Sequence, residues 1–253
     1  MERREFIQKS FLATTALGMT PSTPLDETTK QIFELRVYES RSAQNLENYL
    51  SKALIPALNR LGIQKVGAFS ELTKSEPAKT YLLVPYASMP EYTNVILQLK
   101  KDKDYAQASQ DFNQLGVDQA PFFRYDTSLM IAFDGLPKLV APELKPRIFE
   151  LRTYEGYSDD AVRRKIKMFN ESEFPIFYRT KLTPVFFGEV IAGKNLPHLT
   201  YMITFKDMAE RDANWRAFGA DPDWQRIVKA PEYANTVSKI YKTFLEPLPF
   251  SQI

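Results

Sequence analysis

The sequence predicts an α+β chain of two tandem ferredoxin-like units, each running β-α-β-β-α-β, that pair face to face into a pseudo-twofold α/β barrel. Three observations predict it. The decapeptide QIFELRVYES at Gln31 returns as RIFELRTYEG at Arg147, an offset of 116 residues. The likeness then continues. Residues 54–72 align with 173–191, setting Pro56 against Pro175 and Val66 against Val185, and Tyr81 falls opposite Tyr201. A period of domain length marks a tandem duplication rather than a solenoid. Finally, each copy shows the split-βαβ order of elements. Such a unit carries helices on one sheet face only, so two copies can cover each other's bare faces.

The elements follow in order. Residues 31–38 alternate strictly, as a strand does. Leu46, Tyr49, Leu50, Leu54, Ala57, Leu58 and Leu61 recur at helical spacing over 43–61, and Gly62 ends that helix. Pro56 inside the run predicts a kink or break. Strands follow at 63–73 and 80–86, separated by the turn KSEPAK, then a helical region over 89–114 and a strand over 124–133. The second copy repeats the series: strand 147–154, helix 159–180, strands 181–191 and 199–206, helix 208–227, strand 236–245. The proline-rich join DGLPKLVAPELKP reads as a linker. The expected organisation is a leader over 1–25, a first repeat over 31–134, a linker over 135–146 and a second repeat over 147–253.

Composition narrows the function classes. The 253 residues are 44% hydrophobic and 25% charged, ordinary for a soluble globular protein. A net charge of +2 gives no electrostatic footprint for nucleic acid. Absence of cysteine removes disulfides, thiolate nucleophiles and cysteine-ligated metals. A single histidine, His198, cannot build a multi-histidine metal site within one chain, and a Ser-His-Asp triad would have to use it. The 18 Phe, 13 Tyr and 2 Trp point to a packed core or an aromatic-lined cavity. The basic run Arg163, Arg164, Lys165 and Lys167 reads as a solvated helix face.

The N-terminal stretch MERREFIQKS, followed by a weakly apolar run to Met19, resembles a twin-arginine export signal and predicts a periplasmic protein. The alternative is a cytoplasmic chain with a disordered or surface-helical start. No segment reads as a stable membrane span.

Within the repeated decapeptides, Glu34, Arg36 and Tyr38 share one strand face, and Glu150, Arg152 and Tyr154 share the matching one. Phe33, Leu35 and Val37, like Phe149, Leu151 and Thr153, occupy the opposite face. The apolar face is expected to pack under the helices, which aims the Glu/Arg/Tyr stripe into the lumen between the sheets. There it forms either a buried ion-pair network, with pairing possible across the pseudo-twofold, or the polar part of a ligand site.

The stretches IFELRTYEGYSDD and RDANWRAFGADPDW resemble the NIPSNAP family, through Arg211, Trp215, Phe218, Asp221, Pro222, Asp223 and Trp224. In the first copy this second pattern is lost, and Tyr105 falls near the Trp224 position. The resemblance implies the dimeric α/β-barrel fold and leaves the biochemical role undefined. Trp215 and Trp224 are expected to pack the second helix on its sheet, with Asp221 and Asp223 as a turn or cap. Three functions follow: a barrel that binds a small molecule or a protein partner, a cofactor-free oxygenase or isomerase working through the stripe, and a haem protein through His198. The first needs no cofactor and no metal. Because the copies pair within one chain, a monomer or a homodimer is expected.

Overall fold

The computed structural model describes residues 29–253. The twin-arginine-like stretch lies outside the described residues. Among the described residues no helix is long and apolar enough to cross a membrane.

Eight strands form: β1 (Ile32–Ser40), β2 (Gly67–Glu71), β3 (Lys79–Tyr86), β4 (Phe122–Ala132), β5 (Ile148–Glu155), β6 (Thr183–Ala192), β7 (His198–Phe205) and β8 (Lys239–Pro247). They close into one barrel in the order β1-β3-β2-β8-β5-β7-β6-β4, with every pairing antiparallel. Each repeat supplies a four-stranded ferredoxin-like sheet, and two short seams join them, β2 to β8 and β4 to β6. The duplication read from the decapeptides is therefore what closes the barrel. Pairing removes the free sheet edges that one copy would expose at the seams.

The first helix of each repeat is three segments in one. In the first repeat α1 (Ala43–Tyr49) passes through a π-turn, Leu50–Leu54, into α2 (Ile55–Arg60). The second repeat runs α6 (Asp159–Met168), a π-turn at Phe169–Glu173, and α7 (Phe174–Arg179). Pro56 and Pro175 sit just inside α2 and α7. The expected break is replaced by a widening. The residue before each proline closes an i→i−5 bond, Ile55 to Leu50 and Phe174 to Phe169. Proline has no N–H to donate, and the wide turn keeps its ring clear of the preceding carbonyls. The remaining helices are α3 (Met89–Leu99), α4 (Lys103–Ala108), α5 (Gln110–Asn113), α8 (Met208–Ala220) and α9 (Pro222–Ile227).

The lumen is solid. Phe33, Leu35, Phe69, Leu83 and Met130 of the first repeat interlock with Phe149, Leu151, Phe186, Met202 and Leu245 of the second. Ring pairs bridge the halves, Phe33 with Phe186 at 5.2 Å and Phe69 with Phe149 at 4.8 Å. An eight-stranded barrel has an interior just wide enough for side chains to fill. This corrects the expected orientation of the strands. Phe33 and Leu35, with Phe149 and Leu151, point inward. Glu34, Arg36, Tyr38, Glu150, Arg152 and Tyr154 face outward, under the helices. Phe149→Ala is expected to cost about 3–5 kcal/mol in a urea titration, because it opens a cavity with no room to collapse.

Candidate functional site

On β5 the two-residue period sets Glu150, Arg152 and Tyr154 side by side on the outer face. Above them runs α8, whose Arg211 and Trp215 are four apart and so share one helix face. The two elements meet at Glu150, which is fully buried. Its Oε1 accepts from Arg152 Nη1 at 2.6 Å and Arg211 Nη2 at 3.0 Å. Its Oε2 accepts from Arg211 Nε at 2.9 Å and Trp215 Nε1 at 2.8 Å. Burial by itself would raise this carboxyl, but the hydrogen bonds from Arg211 and the neighbouring Arg152 charge outweigh it and hold the group below its usual range.

Arg152 extends the network. Its Nε and Nη2 donate to Tyr154 Oη at 3.1 and 2.9 Å, and its guanidinium lies 4.4 Å from the centre of a Trp215 ring. The hydroxyls of Tyr154 and Tyr201 lie 2.9 Å apart. Burial, then the neighbouring Tyr154, pushes the Tyr201 hydroxyl well above its ordinary range.

Beside this network is a buried ion pair that sequence reasoning misses. Lys165 of α6 is only 5% exposed and donates to Glu173 Oε1, at the end of the π-turn. Its ammonium also lies 4.5 Å from the Phe169 ring centre and 5.5 Å from that of Trp224. Burial keeps the Glu173 carboxyl above its ordinary range although Lys165 pulls the other way. The basic run is therefore not one solvated face. Arg163 and Arg164 pair with Asp160 and Lys167 pairs with Glu232 near the surface, while Lys165 turns in. The signal lies in the register of the two repeats. Counted from Pro56 and Pro175, Lys165 replaces Leu46 and Glu173 replaces Leu54.

A cavity of about 390 Å³ opens between β5, β7 and β8 and the helices of the second repeat. Arg152, Tyr154, Lys165, Glu173, Tyr201, Trp215, Phe218, Gly219 and Trp224 line it. Both tryptophans of the chain are on its wall. Asp221 caps α9, accepting from the N–H groups of Asp223 and Trp224, and both aspartates bind Arg179, so they hold the wall from outside.

In the first repeat the same three letters serve a closed cluster. Glu34 accepts from Arg36 Nε at 2.7 Å and Nη2 at 2.9 Å, from Tyr86 Oη at 2.9 Å and from Thr127 Oγ1 at 3.0 Å. Its partners come from the sheet itself, where Glu150 draws on α8. Tyr38 packs against Phe122 and Tyr125, and Tyr49 and Tyr105 join hydroxyls at 2.7 Å. The six stripe residues thus form two separate triads, one per repeat, and no pair crosses the pseudo-twofold.

His198 is also buried, at the start of β7, with Nδ1 3.1 Å from the Asn195 carbonyl oxygen. Burial lowers its pKa. The recess beside it is about 230 Å³ and carries Asp159 and Glu189 on its walls. It is acidic where haem propionates need cations, so these residues do not fit a haem.

Solved structures share this fold. A Fusobacterium nucleatum protein provisionally named a monooxygenase aligns over 87% of this chain and 93% of its own, with 10% identity and a TM-score of 0.58. A Lactobacillus acidophilus protein of the same provisional name aligns over 86% and 94%, at 10% identity and TM-score 0.57. These likenesses show the fold. An Agrobacterium tumefaciens NIPSNAP family protein with unknown function is 17% identical over 44% of this chain and 97% of its own, at TM-score 0.39. No curated protein matches. The NIPSNAP family model matches residues 149–252, a span that holds the Glu150 clamp, the Lys165–Glu173 pair and both tryptophans. The likeness of this chain to the NIPSNAP family thus lies in its second repeat.

Proposed function

We propose that the second repeat binds a small, flat, anionic molecule in the cavity under its helices, with Glu150, Arg152 and Tyr154 as part of that site. The observation that carries this reading is the difference between the repeats. Where the first repeat buries Leu46 and Leu54, the second buries the ion pair of Lys165 and Glu173 on the wall of an aromatic-lined cavity. The volume falls in the range of small-molecule sites, which are mostly apolar with a few placed polar groups. Among the residues that line the cavity, two cations, Arg152 and Lys165, stand against one carboxylate, Glu173, which suits an anionic end. The lumen has no part in this proposal, because its space is filled by side chains. Glu34, Arg36 and Tyr38 have a structural role in it, satisfying one another beneath the first repeat's helices.

Tryptophan fluorescence reports this site directly, since both indoles line it. Titration with 2-naphthoate is expected to quench emission saturably, and neutral 2-naphthalenemethanol more weakly. Gly219→Leu supplies the control. A Cβ there meets nothing within 4 Å, so the longer side chain can enter the cavity without strain. Replacing a helical glycine also gains up to about 1 kcal/mol. The variant should be as stable as the parent and should lose saturable quenching. Equal quenching in both would remove the cavity from consideration.

A second reading, a cofactor-free oxygenase, draws on the provisional names of the two full-length structural neighbours. The same cavity would be its reaction chamber. We also propose export to the periplasm, on the twin-arginine-like stretch MERREFIQKS and the weakly apolar run that follows it to Met19.

A further inference from the structure

We propose that the cavity is a proton-transfer site: the Glu173 carboxylate removes a proton from a carbon acid of the bound molecule, and Lys165 faces the negative charge that the molecule acquires. This rests on the binding reading and adds a reaction to it.

The first argument is that the fold does not need the pair. The sister repeat makes the same helix, with the same π-turn and proline, on Leu46 and Leu54, both almost fully buried. Taking two charges out of water costs several kcal/mol per ion, and apolar residues of similar size fill such positions at no loss. A buried pair kept where leucines suffice points to chemistry.

The second argument is valence. An ammonium has three donors. Among the described residues, Glu173 Oε1 and Met168 Sδ, the latter at 3.4 Å, take two of Lys165's. Oε2 of Glu173 accepts from no described residue. Both residues line the cavity, so one donor and one acceptor remain for an occupant. The other ionisable groups on the cavity wall are Arg152 and Tyr154 on β5, Tyr201 on β7 and Tyr233 before β8. Burial holds the carboxyl above its ordinary range, closer to where a general base is effective at neutral pH.

The step balances without a cofactor. The substrate C–H bond breaks and the proton goes to Glu173 Oε2. The bonding pair moves through the conjugated system to a substrate oxygen, whose charge settles against Lys165. Return of the proton to a different carbon completes an isomerisation, with nothing oxidised or reduced.

5-Nitrobenzisoxazole is a suitable probe, being flat, aromatic and a carbon acid. Loss of its C3 proton to a base breaks the N–O bond and releases a coloured cyanophenolate. The parent chain is expected to show saturable turnover about 100-fold faster than Glu173→Gln, within the usual range of a positioned base. The rate should rise with pH through one ionisation above the ordinary carboxylate range. Gly219→Leu should abolish turnover with Glu173 untouched, which decides the matter even if Glu173→Gln folds poorly. Saturable quenching by the probe with equal turnover in the parent and Glu173→Gln would overturn the proton-transfer role and leave the binding reading intact. Turnover that survives Gly219→Leu would place it outside this cavity and overturn the role as well. Absence of quenching by both the probe and 2-naphthoate would remove the binding reading, and the proton-transfer role with it.

Discussion

Replacing both Lys165 and Glu173 with leucine is expected to leave the chain at least as stable as the parent, and up to about 4 kcal/mol more stable, while ending binding in the second repeat. The first repeat is the precedent, since Leu46 and Leu54 occupy the matching places there. Each single replacement should do the reverse. Lys165→Leu leaves a buried carboxylate, and Glu173→Leu leaves a buried ammonium, for a loss of about 3–5 kcal/mol each. Lys165 retains the faces of Phe169 and Trp224 in the second case, so that loss should be the smaller. Urea denaturation of the four chains forms a double-mutant cycle, and the 2-naphthoate titration reads binding in the same samples. If the double variant is several kcal/mol less stable than the parent, the pair is a structural requirement and the contrast between repeats loses its functional meaning. The pH dependence is part of the same prediction. Glu173 has a raised carboxyl pKa in the folded state, so it binds protons more tightly folded than unfolded. Its contribution is complete below the unfolded carboxylate pKa and declines as pH rises through the folded one, and the double leucine chain should lack this decline.

Glu150→Gln is the second large effect. The carboxylate compensates two guanidiniums and an indole N–H in a buried site. An amide keeps the shape but returns no negative charge, and its NH₂ opposes donors already aimed at it. The expected loss is about 3–5 kcal/mol, a large share of the roughly 5–15 kcal/mol that holds a domain folded. Arg211→Met should cost less, because that side chain is partly exposed and shares its charge with Asp212. The sign of the pH effect is opposite to that of Glu173. Glu150 is held below its usual range in the folded state, so its stabilisation is present above the unfolded carboxylate pKa and is lost as pH falls through the folded one. Acid titration of the Glu150→Gln chain should therefore be flatter than that of the parent. An unchanged acid limb would mean that this carboxylate is not what acid disrupts.

Part of the site is legible in the amino-acid sequence. Glu150, Arg152 and Tyr154 stand out because a period of two puts polar residues on one face of an apolar strand. Arg211 and Trp215 stand out only within the pattern that resembles the NIPSNAP family, and only the fold shows that their common target is Glu150. Lys165 reads as a surface charge because it sits in a run of four basic residues. Its partner Glu173 is eight residues away across a π-turn, outside the three- and four-residue spacings by which helical ion pairs are recognised.

The sequence by itself determined the duplication, the order of strands and helices, the turn and cap at Asp221, and the existence of two unlike faces on β1 and β5. These follow from local periodicity and from self-similarity, which need no knowledge of distant contacts. Only the tertiary structure decided which face is inside. On β1 and β5 both faces are largely buried, one in the lumen and one under helices, so alternation distinguishes them without saying which is which. Closure of eight strands leaves an interior that Phe33, Leu35, Phe149 and Leu151 fill with apolar volume from both repeats. The charged face goes outward because partners wait there: Tyr86 and Thr127 for Glu34, and Arg211 and Trp215, some sixty residues along the chain, for Glu150.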